Sequence, residues 1–175
     1  SDAEWRDIAH HWMQRHARNS DSPERTRILV SGSGYNENLN GVSCDPRFEG
    51  CRLSFHLYSW FGGKHKTADA WKQELRQRIG AKNASRTIVT EWGVPMQNKS
   101  ADFYSSQSTL TTDQAFAKAM TEVIFEERMG SCYWPGLRDG DDFSLLERMN
   151  DTTHLRLIND SGRSLLLNSF SGAVT

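Results

Sequence analysis

Three stretches of the chain place apolar residues in the way strands do. Leu53-Ser54-Phe55-His56-Leu57-Tyr58 alternates, so that His56 and Tyr58 share one face. Thr87-Ile88-Val89-Thr90 is a short β-branched run of the kind buried in parallel sheets, and it leads into Glu91-Trp92-Gly93. Gly130-Ser131-Cys132-Tyr133-Trp134 is short, ends in aromatics and is broken by Pro135-Gly136. Between and around these stretches the apolar period lengthens to that of helices. A first helix is expected over residues 2–18, with Trp5, Ile8, Ala9, Trp12 and Met13 on one face. Thr67 caps a second, whose apolar face is Trp71, Leu75 and Ile79 and whose stop is Gly80. Thr111 and Gln114 have capping-box spacing for a third, which carries Phe116, Met120, Val123 and Ile124 and ends before Gly130. A last helix over residues 161–170 follows an extended segment at 154–158.

Strand, helix, strand, helix, strand is the signature of βα units and a parallel sheet. Each of these strands ends in a polar or aromatic group. In barrel enzymes that end carries the chemistry. A carboxylate at such an end, walled by Trp92, is poorly solvated and needs partners.

The ordered set His56-Leu57-Tyr58, Thr90-Glu91-Trp92-Gly93 and Tyr133-Trp134 resembles the last three active-site strands of glycoside hydrolase family 5. Ile28-Leu29-Val30-Ser31-Gly32-Ser33-Gly34-Tyr35, followed by Asn38-Leu39-Asn40-Gly41, is similar to that family's fifth strand and its loop. The resemblance covers roughly residues 3 to 170 and implies a (β/α)8 barrel fold and retaining cleavage of β-linked glucans or related glycosides. It also implies roles. Glu91 corresponds to the nucleophile, Tyr58 to the tyrosine that donates to it, His56 to the strand-six histidine that supports the sugar site, and Trp134 to the floor of the central sugar subsite. The chemistry implied needs no cofactor and no metal. A cis bond between Trp134 and Pro135 is implied as well.

The departures from the family carry equal weight. The acid/base glutamate of the family sits in an Asn-Glu-Pro-type motif ending the fourth strand, and no such motif occurs here. Asn36-Glu37-Asn38 comes closest but follows the fifth strand. The Arg, His and Asn of the earlier strands have no counterpart either. A complete barrel takes ~250 residues, whereas this chain has 175. The expectation is a C-terminal half-barrel: a single α/β domain over residues 1–175 with about four parallel strands, strands five to eight, and helices on the outside. Such a half leaves two open strand edges and an apolar inner face, so it is expected to associate. A homodimer comes first, a separately supplied N-terminal half second.

Beyond the central residues, Trp60 and Phe61 after Tyr58, and Trp92 beside Glu91, are candidates for lining a substrate cleft. Asp139, Asp141 and Asp142 read as a solvated or calcium-tolerant loop. Composition narrows the alternatives. Hydrophobic residues make up 37%, charged residues 25%, and the net charge is −1, so no basic surplus points to nucleic acid. No apolar run approaches the ~20 residues of a membrane span. His10, His11 and His16 do not share one helix face and read as solvated. Cys44 and Cys51 bracket a turn-rich loop that a disulfide would staple, which favours secretion over the cytoplasm. Cys132 reads as a buried thiol in its strand. The leading function is a retaining glycosidase weakened by its missing acid/base half, with a non-catalytic carbohydrate-binding remnant, or one half of a two-chain enzyme, as the competing readings.

Overall fold

The computed structural model describes residues 1–19, 25–97, 102–104, 110–134, 138, 140–149 and 154–171. One sheet holds β1 (Leu29–Ser31), β2 (Arg52–Tyr58), β3 (Thr87–Gly93) and β4 (Gly130–Tyr133), in that spatial order. All three pairings are parallel. Spatial order equals chain order, which is how successive βα units stack. The helices are α1 (Asp2–Asn19), the one-turn α2 (Asn40–Ser43), α3 (Ala68–Ile79), α4 (Thr112–Glu126) and α5 (Asp160–Ser171).

The long helices start and stop where their side chains dictate. Thr67 accepts the Ala70 amide at 3.3 Å to open α3, and Gly80, at φ 80°, closes it. Thr111 and Gln114 form a complete capping box, with bonds of 3.1 and 2.9 Å. The faces these caps orient are buried. Trp71, Leu75 and Ile79 of α3 meet Phe116, Met120, Val123 and Ile124 of α4 in one core with Leu53, Phe55 and Leu57 of β2. Trp71 meets Phe116 edge-on at 5.1 Å and donates its indole N–H to the His65 carbonyl at 3.1 Å.

The other face of β2 carries Ser54, His56 and Tyr58, and this inner face is polar rather than apolar as expected. Asn36 Nδ2 donates to Ser54 Oγ at 2.5 Å, and Ser54 Oγ bonds Thr90 Oγ1 at 2.6 Å. Hydroxyl and amide groups there satisfy one another across three segments, so the open side of the sheet need not be greasy.

β3 contains the feature that places the chemistry. Phe55 pairs with Val89, but His56 pairs with Glu91, so Thr90 is an extra residue in β3. The ladder to β4 slips in the same segment. This bulge resets the alternation. Thr90 and Glu91 both turn to the polar face, beside Ser54 and His56, and Trp92 is sent to the helix side beside Leu57.

Several expectations change. The stripe of α1 is only partly used: Trp5, Ala9 and Met13 pack against the core, while Ile8 and Trp12 stay exposed, Trp12 beside Leu29 and Val30 of β1. The segment at 154–158 is extended as expected, and its strand β6 (Leu155–Leu157) gains an antiparallel partner in β5 (Leu146–Arg148), with Arg156 paired to Glu147. Cys132 is exposed on the edge strand β4 rather than buried. Cys44 and Cys51 are both free thiols, so the expected staple does not form. Arg86 does its work instead, donating to the Ser43 and Phe48 carbonyls at 3.0 Å each and to that of Cys51 at 3.3 Å. Cys51 is buried beneath that clasp, and its burial pushes the thiol pKa up.

Candidate active site

β2 supplies His56 and Tyr58, and the bulged β3 supplies Glu91, at neighbouring register positions. The Tyr58 hydroxyl donates to Glu91 Oε1 at 2.7 Å. His56 Nδ1 lies 3.7 Å from Glu91 Oε2, within ion-pair reach when the imidazole is protonated. Burial pushes the Tyr58 phenol well above its usual pKa, and the Glu91 carboxylate adds to the shift. The phenol therefore stays protonated across the working pH range and remains a donor. All three residues line a cleft of about 370 Å³, together with Ser54, Tyr35, Phe61 and Glu37. A carboxylate held between a phenolic donor and an imidazole, one side open to a cleft, can attack an electrophilic carbon.

The floor under Tyr58 is aromatic. Trp60 stacks on its ring at 4.4 Å and 14°, and Phe143 meets both rings edge-on at 5.8 and 5.5 Å. Trp60 is 54% exposed. Trp134 is 39% exposed and its amide donates to the Trp92 carbonyl at 2.8 Å, which sets it at the mouth of the sheet end. Gly93 makes room for this: a Cβ there would lie 2.9 Å from the Phe143 ring and 3.5 Å from Cβ of Trp134. Pro135 and Asp139 lie outside the described residues, and the expected Trp134–Pro135 cis bond with them.

Trp92 corrects the expectation. It is 1% exposed and packs edge-on against Tyr133 at 5.3 Å, so it offers no surface to a sugar. The bulge at Thr90 is the reason, since it turns Trp92 into the core in the step that turns Glu91 out of it.

Two carboxylates that the sequence reading sets aside as non-catalytic are engaged by arginines. Glu37 lines the same cleft and is engaged by Arg78 at 3.1 Å, which in turn bonds Glu74. Asp141 is buried rather than solvated: it accepts from Arg138 at 2.8 and 3.1 Å and from the Phe143 amide at 3.0 Å. The only sequence signal for this staple was the Arg138-to-Asp141 spacing.

The Arg138 guanidinium, then the Phe143 amide, hold the Asp141 carboxyl below the ordinary carboxylate range. A depressed carboxyl stabilises the fold above its unfolded pKa of ~3.9 and stops doing so as the pH falls through its folded value. Near-ultraviolet circular dichroism is therefore expected to lose part of its aromatic signal below about pH 4 as Phe143 and Trp134 come loose. Asp141→Asn should show the reduced signal already at neutral pH.

No family model matches the sequence, and no curated protein is recognisably similar to it. Solved structures are. The chain is similar to a β-glucanase from Saccharophagus degradans (17% identity, TM-score 0.59, 82% of this chain and 44% of that one). It is similar to the catalytic domain of the major endoglucanase from Xanthomonas campestris pv. campestris (16% identity, TM-score 0.62, 97% and 50%). It also matches a family 5 xyloglucanase from Paenibacillus pabuli (14% identity, TM-score 0.60, 96% and 55%). The chain thus spans about half the length of each. At such identities the likeness speaks for the fold alone, and the fold is half of a (β/α)8 barrel of the kind those glucanases have.

Proposed function

We propose that this chain is the C-terminal half, strands five to eight, of a retaining glycoside hydrolase acting on β-linked glucans. Glu91 is the nucleophile, Tyr58 its hydrogen-bond donor, His56 the support of the sugar site and Trp134 the floor of the central subsite. The single observation that carries the reading is the 2.7 Å bond from Tyr58 to a cleft-facing carboxylate that a β-bulge has turned out of the core. In the first step the carboxylate oxygen bonds the anomeric carbon as the bond to the aglycone oxygen breaks, and that oxygen leaves as an anion that takes a proton from water. Water then adds its oxygen to the anomeric carbon and gives its proton to solvent, which breaks the ester and restores the carboxylate and the original anomeric configuration. That chemistry places a proton donor ~5–5.5 Å from the nucleophile, and Glu37 in this cleft is engaged by Arg78.

Because, among the described residues, the sheet ends in two unpaired edges, with exposed Trp12 and Leu29 beside one of them, the working form is an assembly. A second copy of the chain, or another polypeptide bearing the other half, covers that edge. Sedimentation at micromolar concentration is expected to show a species heavier than the 19.9 kDa monomer, and a pure monomer would refute the association.

The test of the nucleophile is covalent trapping. A 2-deoxy-2-fluoroglucoside with an activated leaving group forms the first ester quickly and hydrolyses it slowly. Mass spectrometry is expected to find the adduct on the peptide that contains Glu91. An unmodified Glu91, with sugar binding retained, would favour a carbohydrate-binding protein without catalysis.

A further inference from the structure

The polar groups on the inner face of the sheet hand their protons along in one direction, and the last of them sits at the bulge. Beyond β1 the chain turns through Gly34, Tyr35 and Asn36, all left-handed, with φ of 58°, 56° and 71°. Asparagine tolerates that backbone, whereas a bulky tyrosine rarely adopts it, and Asn36 holds the turn. Its side-chain oxygen accepts the Gly32 amide at 2.5 Å. That bond fixes which way the side-chain amide faces, and leaves Nδ2 to donate to Ser54 Oγ at 2.5 Å. At the far end the Phe55 carbonyl can only accept, and it receives the Thr90 hydroxyl at 3.4 Å. The 2.6 Å contact between Ser54 and Thr90 then has one solution, in which the Ser54 hydroxyl donates. Both hydroxyl protons are thereby committed within the protein, and neither is left for a ligand.

This chain joins the two groups that flank the reacting position. Asn36 also accepts the His56 amide on its carbonyl at 2.9 Å. One residue thus fixes the backbone of His56 directly and reaches that of Glu91 through Ser54 and Thr90. Thr90 is the extra residue of the bulge, and an extra residue has no ladder partner to hold it. Burial decides which side chain faces inward, because Trp92 is driven into the core and Glu91 is left to the cleft. It does not decide where along that face the carboxylate stands. Directional bonds to Thr90 do.

We infer that Asn36, Ser54 and Thr90 are positioning residues, a one-way hydrogen-bond chain that pins the bulge and sets the Glu91 carboxylate against Tyr58 and His56. The inference rests on the reading of Glu91 as nucleophile and adds what holds that nucleophile in line. The three act through Glu91 rather than on the sugar.

Two readouts on the full chain test it. The first is labelling of Glu91 by the activated 2-deoxy-2-fluoroglucoside, resolved into affinity for the reagent and rate constant at saturation. The second needs no turnover. It is the nuclear magnetic resonance signal of the Tyr58 ring carbon that bears the hydroxyl, in chain made with isotope-labelled tyrosine and assigned with Tyr58→Phe. Thr90→Val keeps the shape and loses the hydroxyl. Ser54→Ala breaks the chain one strand away, leaves the bulge residue intact, and carries the test if Thr90→Val does not fold. Each is expected to lower the saturating rate constant about 10²-fold, the cost of a reacting group displaced by ~1 Å, to leave reagent affinity unchanged and to shift the Tyr58 signal. Thr90→Ser, which retains the hydroxyl, should match the wild type in both. The double variant Ser54→Ala/Thr90→Val loses two polar partners together, so it should regain stability relative to the single variants without regaining the labelling rate. Recovery of both would make the chain merely structural and overturn the inference. Folded single variants that label at the wild-type rate with an unmoved Tyr58 signal overturn it too. So does weakened reagent affinity with the saturating rate constant retained, since the hydroxyls would then be holding the sugar. A Tyr58 signal that shifts in the variants, when the wild type takes no label, keeps the positioning and refutes the nucleophile.

Discussion

Glu91→Gln is expected to abolish both the covalent adduct and the turnover of aryl glucosides, down to the uncatalysed rate, while the denaturation transition stays where it was. An amide oxygen still accepts the 2.7 Å bond from Tyr58, and the side chain keeps its volume. Glu91 is also half in the cleft rather than in the core, so no packing is lost. What disappears is the ability to form an ester with the anomeric carbon and release it again. Removal of a covalent nucleophile elsewhere costs on the order of 10⁶ in kcat, so any surviving turnover near the wild-type level would place the nucleophile on another residue. A shifted denaturation midpoint would assign Glu91 to the fold instead.

The parts of this molecule legible from sequence were those decided by neighbours along the chain. Thr67 and Gly80 bound α3, and Thr111 with Gln114 opens α4, because caps are local chemistry. The pairing of Tyr58 with Glu91 was legible through motif order. The rest depended on contacts between distant segments. Strict alternation from Val89 would send Glu91 to the helix side; the bulge at Thr90 reverses that, and buries Trp92 as its consequence. Nothing within residues 87–93 announces it. Tyr35 escaped for a similar reason. Its local preference opposes the left-handed turn, and only Asn36 bonded to Ser54 and His56 imposes it. The loop between Cys44 and Cys51 invited a disulfide by spacing, yet Arg86, reaching in from the segment before β3, closes it with carbonyl bonds.

The second large effect expected is a steep dependence on the leaving group. Cleaving a natural glucan expels an alkoxide-like oxygen that must be protonated as the bond breaks, and a positioned acid contributes ~10²–10⁴-fold to that step. Glu37 is engaged by Arg78, and Asp141 is held as an anion by Arg138 and the Phe143 amide. Asp141 is therefore not arranged to give up a proton. If two copies closed a barrel, β4 of one would stand where the acid-bearing strand of a full barrel belongs, offering Trp134 there. The two Glu91 residues would then face each other across the barrel, too far apart for the ~5 Å separation that retention requires. A dinitrophenyl glucoside, whose leaving group is stable as an anion, does not depend on such an acid. Its kcat/KM is therefore expected to exceed that of cello-oligosaccharides by far more than for a complete barrel, with log rate falling steeply as leaving-group pKa rises. Supplying an N-terminal half-barrel that carries an acid/base glutamate should raise glucan cleavage by ~10²–10⁴ and leave the dinitrophenyl substrate nearly unchanged. A flat dependence on leaving-group pKa in the chain alone would mean that a proton donor is already in place. Glu37→Gln, which would then abolish glucan cleavage selectively, is the variant that would find it.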